Sequence, residues 1–168
     1  MYFQHTLGLE GTGERKVIKR EAVRAVIPFE QKLLLIQTIR GDYKFPGGGR
    51  KKAESLKEAL IREVREETGY IVTAVKEEIG EVVESYEDSY EPEAVFQMTS
   101  IYCICEVSGK GKEQGLEDYE AKLGFRPVFI KAEEALRVNE EMFQRDVEGS
   151  NVFLSREICA LREVIKYI

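Results

Sequence analysis

The stretch from Pro46 to Tyr70, PGGGRKKAESLKEALIREVREETGY, constrains the fold more than any other part of the chain. Pro46-Gly47-Gly48-Gly49 interrupts any regular element. The apolar spacing after it predicts a helix over residues 54–68, closed by Gly69, the usual residue just past a helix end. On that helix Leu56, Leu60 and Val64 fall at about 0°, 40° and 80° and define an apolar stripe. Glu63 falls near about −20°, Glu67 near about 20° and Glu66 near about −80°. Two carboxylates therefore occupy the line on which the preceding turns carry leucine, and a third flanks them. A helix that only had to pack would not place glutamates there, because a buried carboxylate needs a counter-charge or a metal. Three such groups make a hard-oxygen site suited to Mg²⁺ or Mn²⁺. The competing reading is a solvated charged face, supported by the i, i+4 spacing of Glu58 with Arg62 and of Arg62 with Glu66.

The preceding loop favours a site. The 168 residues carry 25 Lys and Arg against 31 Asp and Glu, a net charge of −6. Yet residues 40–52 contain Arg40, Lys44, Arg50, Lys51 and Lys52 against the single acid Asp42. These cations are interleaved with glycines whose backbone can approach a ligand closely. Basic side chains and bare amides suit phosphates, and the acids downstream suit the cation that bridges them.

With those residues in place, the segment resembles the signature of the Nudix hydrolase family, G-x5-E-x7-R-E-U-x-E-E-x-G-U with U a bulky aliphatic residue. Gly48, Glu54, Arg62, Glu63, Val64, Glu66, Glu67 and Gly69 match at every spacing. Tyr70 stands where an aliphatic is usual, and Ala53 where many members have glycine. The strand before Pro46 and the later Phe129-Ile130 with Glu133-Glu134-Ala135-Leu136 also look like the family. The resemblance implies an α/β/α sandwich, a mixed sheet flanked by helices, as one domain over residues 1–168. It implies a hydrolase of the MutT-like kind acting on a small nucleoside diphosphate derivative with Mg²⁺ or Mn²⁺, in a monomer or homodimer. Glu63 and Glu67 would be the principal metal ligands, with Glu66 a further one and the Gly47 carbonyl joining them. Arg62 would orient a glutamate, and Glu54 would be a ligand or an anchor for Arg62. The general base would be Glu63, or a glutamate on the loop Ser108–Lys122, where Glu117 and Glu120 are the candidates. A catalytically silent nucleotide- or sugar-nucleotide-binding module is the alternative, though such a module would not need all of these acids.

The rest of the chain narrows the possibilities. Net negative charge argues against a nucleic-acid polymer as partner. No run of about 18 apolar residues predicts a membrane span, and no apolar signal core follows Met1, so a cytoplasmic protein is expected. A single histidine, His5, disfavours His-rich zinc sites and Ser-His-Asp triads. Cys103 and Cys105 are expected on opposite faces of a strand and, with Cys159, reduced. Strands are expected over residues 17–27, 33–36, 71–83, 94–107 and 126–130, with a hairpin at 29–32. A short helix is expected over 131–138 and a final one along Leu154, Ile158, Leu161, Ile165 and Ile168. Residues 1–16, with three glycines, are expected to form a loose arm or an edge segment. The acids from Glu77 to Glu93 are expected to be solvated, with Tyr86 and Tyr90 available to stack on a base.

Overall fold

The structure is a computed structural model that describes residues 1–109, 111, 113–145 and 153–168. Along the chain lie strands β1 (Phe3–Gly8), β2 (Lys16–Val26), β3 (Pro28–Phe29), β4 (Lys32–Gln37) and β5 (Tyr43–Lys44), then helix α1 (Leu56–Thr68). Strands β6 (Ile71–Glu87) and β7 (Ala94–Ser108), helix α2 (Asp118–Lys122), strand β8 (Arg126–Ile130) and helices α3 (Ala132–Arg145) and α4 (Leu154–Tyr167) complete it.

The strands form two four-stranded sheets. One runs β1-β6-β7-β2, with β1 and β2 parallel to their neighbours and β6 antiparallel to β7. In the other, β4 pairs antiparallel with β3, β5 and β8. The chain passes from the first sheet to the second at Ile27. Pro28 does not simply stop β2; it opens β3, and Glu30 and Gln31, both at positive φ, turn the chain into β4.

Alternation along the strands divides the core into two layers. Val23, Ala25, Ile27 and Leu34 face α1 and pack with Ala59, Leu60 and Val64. Val26, Leu33, Leu35 and Phe45 face the other way, toward Ala135 of α3 and Leu161 and Val164 of α4. The mixed α/β arrangement with helices on both sides is the one the sequence implies.

Several local expectations change. Of the two expectations for the N-terminus the edge segment holds and the loose arm does not: Phe3 is buried against Gly80, its partner in β6, and β1 forms the edge of the sheet. Helix α1 begins two residues later than expected, because Ser55 caps it. The Ser55 Oγ accepts from the Glu58 N–H at 3.2 Å and Glu58 accepts from the Ser55 N–H at 2.8 Å. Gly69, at φ 75°, closes it in the left-handed conformation that side chains disfavour. Helix α3 runs seven residues past Val138, since Asn139 is buried and the pair Arg137–Glu141 supports its exposed side. Cys103 and Cys105 share the α1-side layer, because a strand period of two places residues i and i+2 on one face. Burial pushes both thiols up to about 12.

Candidate active site

The site is built where α1 meets the loop after β5. Gly47 sits at φ 143°, and a Cβ there would lie 1.9 Å from the Val23 carbonyl oxygen, so only glycine fits. Its N–H donates to Glu67 Oε2 at 2.8 Å. The segment is also held from the far side: Asn139 bonds both the N–H and the carbonyl of Tyr43, at 2.9 and 2.8 Å, and Glu157 accepts from the Phe45 N–H at 2.9 Å. Residues 43–47 are thus fixed by α1, α3 and α4 together.

Glu67 is fully buried, and Lys44 Nζ donates to its Oε1 at 2.9 Å. Desolvation nevertheless raises its pKa, against the opposing effects of Lys44, the Gly47 N–H and Arg24. Glu63, one turn earlier, is also buried, and its carboxylate lies where a Cβ on Gly48 would have to go. Its pKa too is raised by burial, opposed by Arg62. Arg62 organises this corner. It clasps Glu54 through Nε and one terminal nitrogen at 2.7 and 2.8 Å, donates to Glu63 at 2.5 Å, and reaches the Gly49 carbonyl at 3.1 Å. Held by that fork, the Glu54 carboxyl is lowered to about 2.

The third carboxylate arrives from the distant loop. The Gln114 amide donates to the carbonyls of Glu67 and Phe125 at 2.5 and 3.0 Å, and the Gly115 N–H donates to the Glu66 carbonyl at 2.8 Å. These bonds cap the end of α1, whose last carbonyls have no partner within the helix. They also swing α2 over the site, which buries Glu120. One carboxylate oxygen each from Glu63, Glu67 and Glu120 lies within 4.8 Å of the others.

Three buried anions at this separation repel one another, and all offer hard oxygen. They fit a divalent cation of the Mg²⁺ or Mn²⁺ class. Glu66 is not in the trio; its side chain is 37% exposed and faces Arg62 at 3.4 Å. Glu54 is not in it either, being the anchor of Arg62. Glu117 is exposed, and its N–H donates to Glu120 Oε2 at 2.8 Å. The Gly47 carbonyl accepts a hydrogen bond from Arg24.

A cleft of about 340 Å³ opens beside Gly47, Gly48 and Gly49. Ala22, Arg24 and Met98 line it from the sheet, Tyr119, Leu123 and Phe125 from one side, and Phe153, Arg156 and Glu157 from α4. The basic cluster divides here. Arg40 and Lys44 line the cleft, whereas Arg50, Lys51 and Lys52 are exposed outside it, with Arg50 paired to Glu21. Tyr86 and Tyr90 line a separate groove near Ile18 and Phe96, and Tyr90 is 94% exposed. Glu84 departs from its solvated neighbours: it is buried and bonds Arg156 at 2.8 Å. Sequence reading missed Arg24, Arg156 and Glu157. A signal existed for Glu157, an acid three residues after Leu154 on the flank of an apolar stripe. Arg24, set within a strand-like run, gave none.

A family model described as NUDIX domain matches residues 18–148. The chain belongs to the NUDIX family. Its members are hydrolases that cleave pyrophosphate bonds in nucleoside diphosphate derivatives. The solved structure of a NUDIX hydrolase from Nitrosomonas europaea is similar over 74% of this chain and 80% of that one, with 22% identity and a TM-score of 0.56. An ADP-ribose pyrophosphatase from Streptococcus suis is similar over 68% and 75%, with 23% identity and a TM-score of 0.50. A MutT NUDIX hydrolase from Burkholderia pseudomallei gives 69% and 85%, 19% identity and a TM-score of 0.50. At these identities the Nudix structures establish a shared fold. Among curated proteins there is no match. No helix among the described residues is long and apolar enough to cross a membrane.

Proposed function

We propose that this Nudix hydrolase cleaves a diphosphate linkage in a small nucleotide-type substrate, by attack of water on phosphorus with Mg²⁺ or Mn²⁺ held at the carboxylate trio. The observation that carries the reading is the convergence of Glu63, Glu67 and Glu120 within 4.8 Å, behind a cleft whose lining residues Lys44 and Gly47 bond Glu67. The bound cation would offset phosphate charge and lower the pKa of a coordinated water.

The chain's own residues divide the remaining work. Glu63 and Glu67 would hold the cation, and Lys44 and the Gly47 N–H fix the Glu67 carboxylate. Arg62 holds Glu63 at its place on the helix and is itself held by Glu54, so it is a positioning residue. Glu120 is the base or the third ligand; its burial beside Glu63 and Glu67 favours it over Glu117, which is exposed and donates its backbone N–H to Glu120 Oε2. Glu66 faces Arg62 and has no ligand role in this reading. The cleft accepts the diphosphate at Gly47–Gly49 and the attached moiety between the Tyr119 and Phe153 walls.

The test is product release from a panel of nucleotide sugars, dinucleoside polyphosphates, nucleoside triphosphates and ADP-ribose. Hydrolysis of at least one substrate should require Mg²⁺ or Mn²⁺ and stop with chelator. Turnover that survives complete metal removal, or no turnover with any of them, would overturn the reading.

A further inference from the structure

Two arginines lie buried beneath the cleft, and they are treated differently. Arg156 is 3% exposed and fully compensated: it donates to Glu84 at 2.8 Å and to Glu157 at 2.7 and 3.1 Å. Arg24, on the adjoining strand face, is 6% exposed and has no carboxylate partner among the described residues. One terminal nitrogen donates to the Gly47 carbonyl, and its Nε is buried without a hydrogen-bond partner. Glu67, across Gly47, is already engaged by Lys44 and the Gly47 N–H.

A buried guanidinium left unpaired is costly, and such charges are ordinarily matched by an anion. Its surroundings point the same way. In the parallel register of β2 and β7, Ala22 lies beside Ser100 and Arg24 beside Tyr102. The Ser100 hydroxyl and the Tyr102 hydroxyl are also buried without partners. The nearby acceptors are taken: Glu157 by Arg156 and the Phe45 N–H, and Asp42 by the Thr38 hydroxyl. The cleft wall at Arg24 therefore presents a positive charge with no matching anion, and behind it lie two hydroxyls free to donate. It suits a negatively charged acceptor.

The geometry points to Arg24 as a substrate-binding residue that takes an anionic phosphate oxygen of the diphosphate, on the side of Gly47 away from the carboxylate trio. This rests on the reading of the site as a diphosphate site. The diphosphate would then lie between two counter-charges: the cation held by the trio and the guanidinium fork of Arg24, whose terminal nitrogen not engaged by Gly47 can donate to a phosphate oxygen. Of the five cations the sequence offers to phosphates, Arg40 and Lys44 line the cleft, whereas Arg50, Lys51 and Lys52 lie outside it and would contribute only long-range attraction.

Methylenediphosphonate, a diphosphate that cannot be hydrolysed, separates these roles. It is titrated into the protein with Mg²⁺ while the arginine Nε–H signals are followed by NMR and affinity by calorimetry. The Arg24 Nε–H signal should shift and saturate with the binding curve. Arg24→Lys keeps the charge but loses the fork, and it should bind at least tenfold more weakly, with about threefold or less for the joint Arg50→Ala, Lys51→Ala and Lys52→Ala variant. Saturable binding with a static Arg24 signal, or wild-type affinity in Arg24→Lys, overturns the proposal, as does an absence of binding. Should Arg24→Lys fail to fold, the Nε–H signal of the unaltered protein decides alone. Hydrolysis is not read in this experiment. A protein that binds through Arg24 yet turns over nothing would refute the hydrolase reading only, and an active one with a static Arg24 signal would refute this one only.

Discussion

Removing the cation should leave a protein whose stability responds to pH in the sense opposite to ordinary acid denaturation. Burial raises the pKa of both Glu63 and Glu67 above the unfolded value. Between the unfolded and folded values the native state binds more protons than the unfolded chain, so stability falls as pH rises. The metal-free protein should therefore gain stability as pH drops from about 7.5 to about 5, a window above the ordinary glutamate pKa of about 4.3. Each whole pKa step by which a carboxyl is raised corresponds to about 1.4 kcal/mol lost at neutral pH. The two groups act in the same sense over that window, so their contributions add. Carboxyls that are lowered in the fold, such as Glu54 at about 2, act oppositely but only below it.

Mg²⁺ should reverse the pattern, since its ligands must be deprotonated. At one hundred times its dissociation constant a ligand adds about 2.7 kcal/mol. For a chain of this size that corresponds to roughly 5–11 °C in melting temperature. The assay is thermal unfolding at several pH values, with chelator and with Mg²⁺. Glu67→Gln should abolish most of the Mg²⁺ response and weaken the pH response, leaving the part that comes from the burial of Glu63. A metal-free stability that is flat or falls on mild acidification would refute the view that the trio is held together against its own desolvation. So would a melting temperature indifferent to saturating Mg²⁺ at pH 7.5.

Three further perturbations probe the supports. Arg62→Lys removes the two-pronged hold on Glu54 and the bond to Gly49; it should lower kcat at least tenfold with little change in KM and cost about 1–3 kcal/mol in denaturant unfolding. Glu120→Gln should reduce kcat by two or more orders of magnitude, about what a general base contributes, while Glu117→Gln should stay within a factor of about three; equal effects in steady-state assays would undo the assignment from burial. Gly47→Ala places a methyl on the Val23 carbonyl and should cost more than about 3 kcal/mol, beyond most single substitutions, measured as loss of soluble protein or of the unfolding midpoint.

The helix and its acids were legible in the chain itself because helix geometry is local. Residues at i and i+4 share a face whatever surrounds them, so Glu63 and Glu67 had to lie together, and Arg62 had to stand beside them. The positions of β2, β4, β7 and β8 followed for the same reason, from strand-like and apolar runs, to within one residue at each end. The open or wrong expectations lie where an outcome depended on partners far along the chain. Residues 1–16 leave a loose arm and an edge segment both open, and the room for Phe3 at Gly80 decides for the edge strand. Glu117 and Glu120 looked equivalent in sequence; bonds from Gln114 and Gly115 to the end of α1 decided which was buried beside Glu63 and Glu67. The basic residues looked like one cluster, yet the turn at Gly47–Gly49 sends Lys44 inward to Glu67 and Arg50–Lys52 outward to solvent. Arg24 is the extreme case. Its meaning depends on which carboxylates reach it, and that is fixed only when β2, β7, α4 and the glycine loop are packed together, leaving a buried positive charge with its acceptors already spoken for.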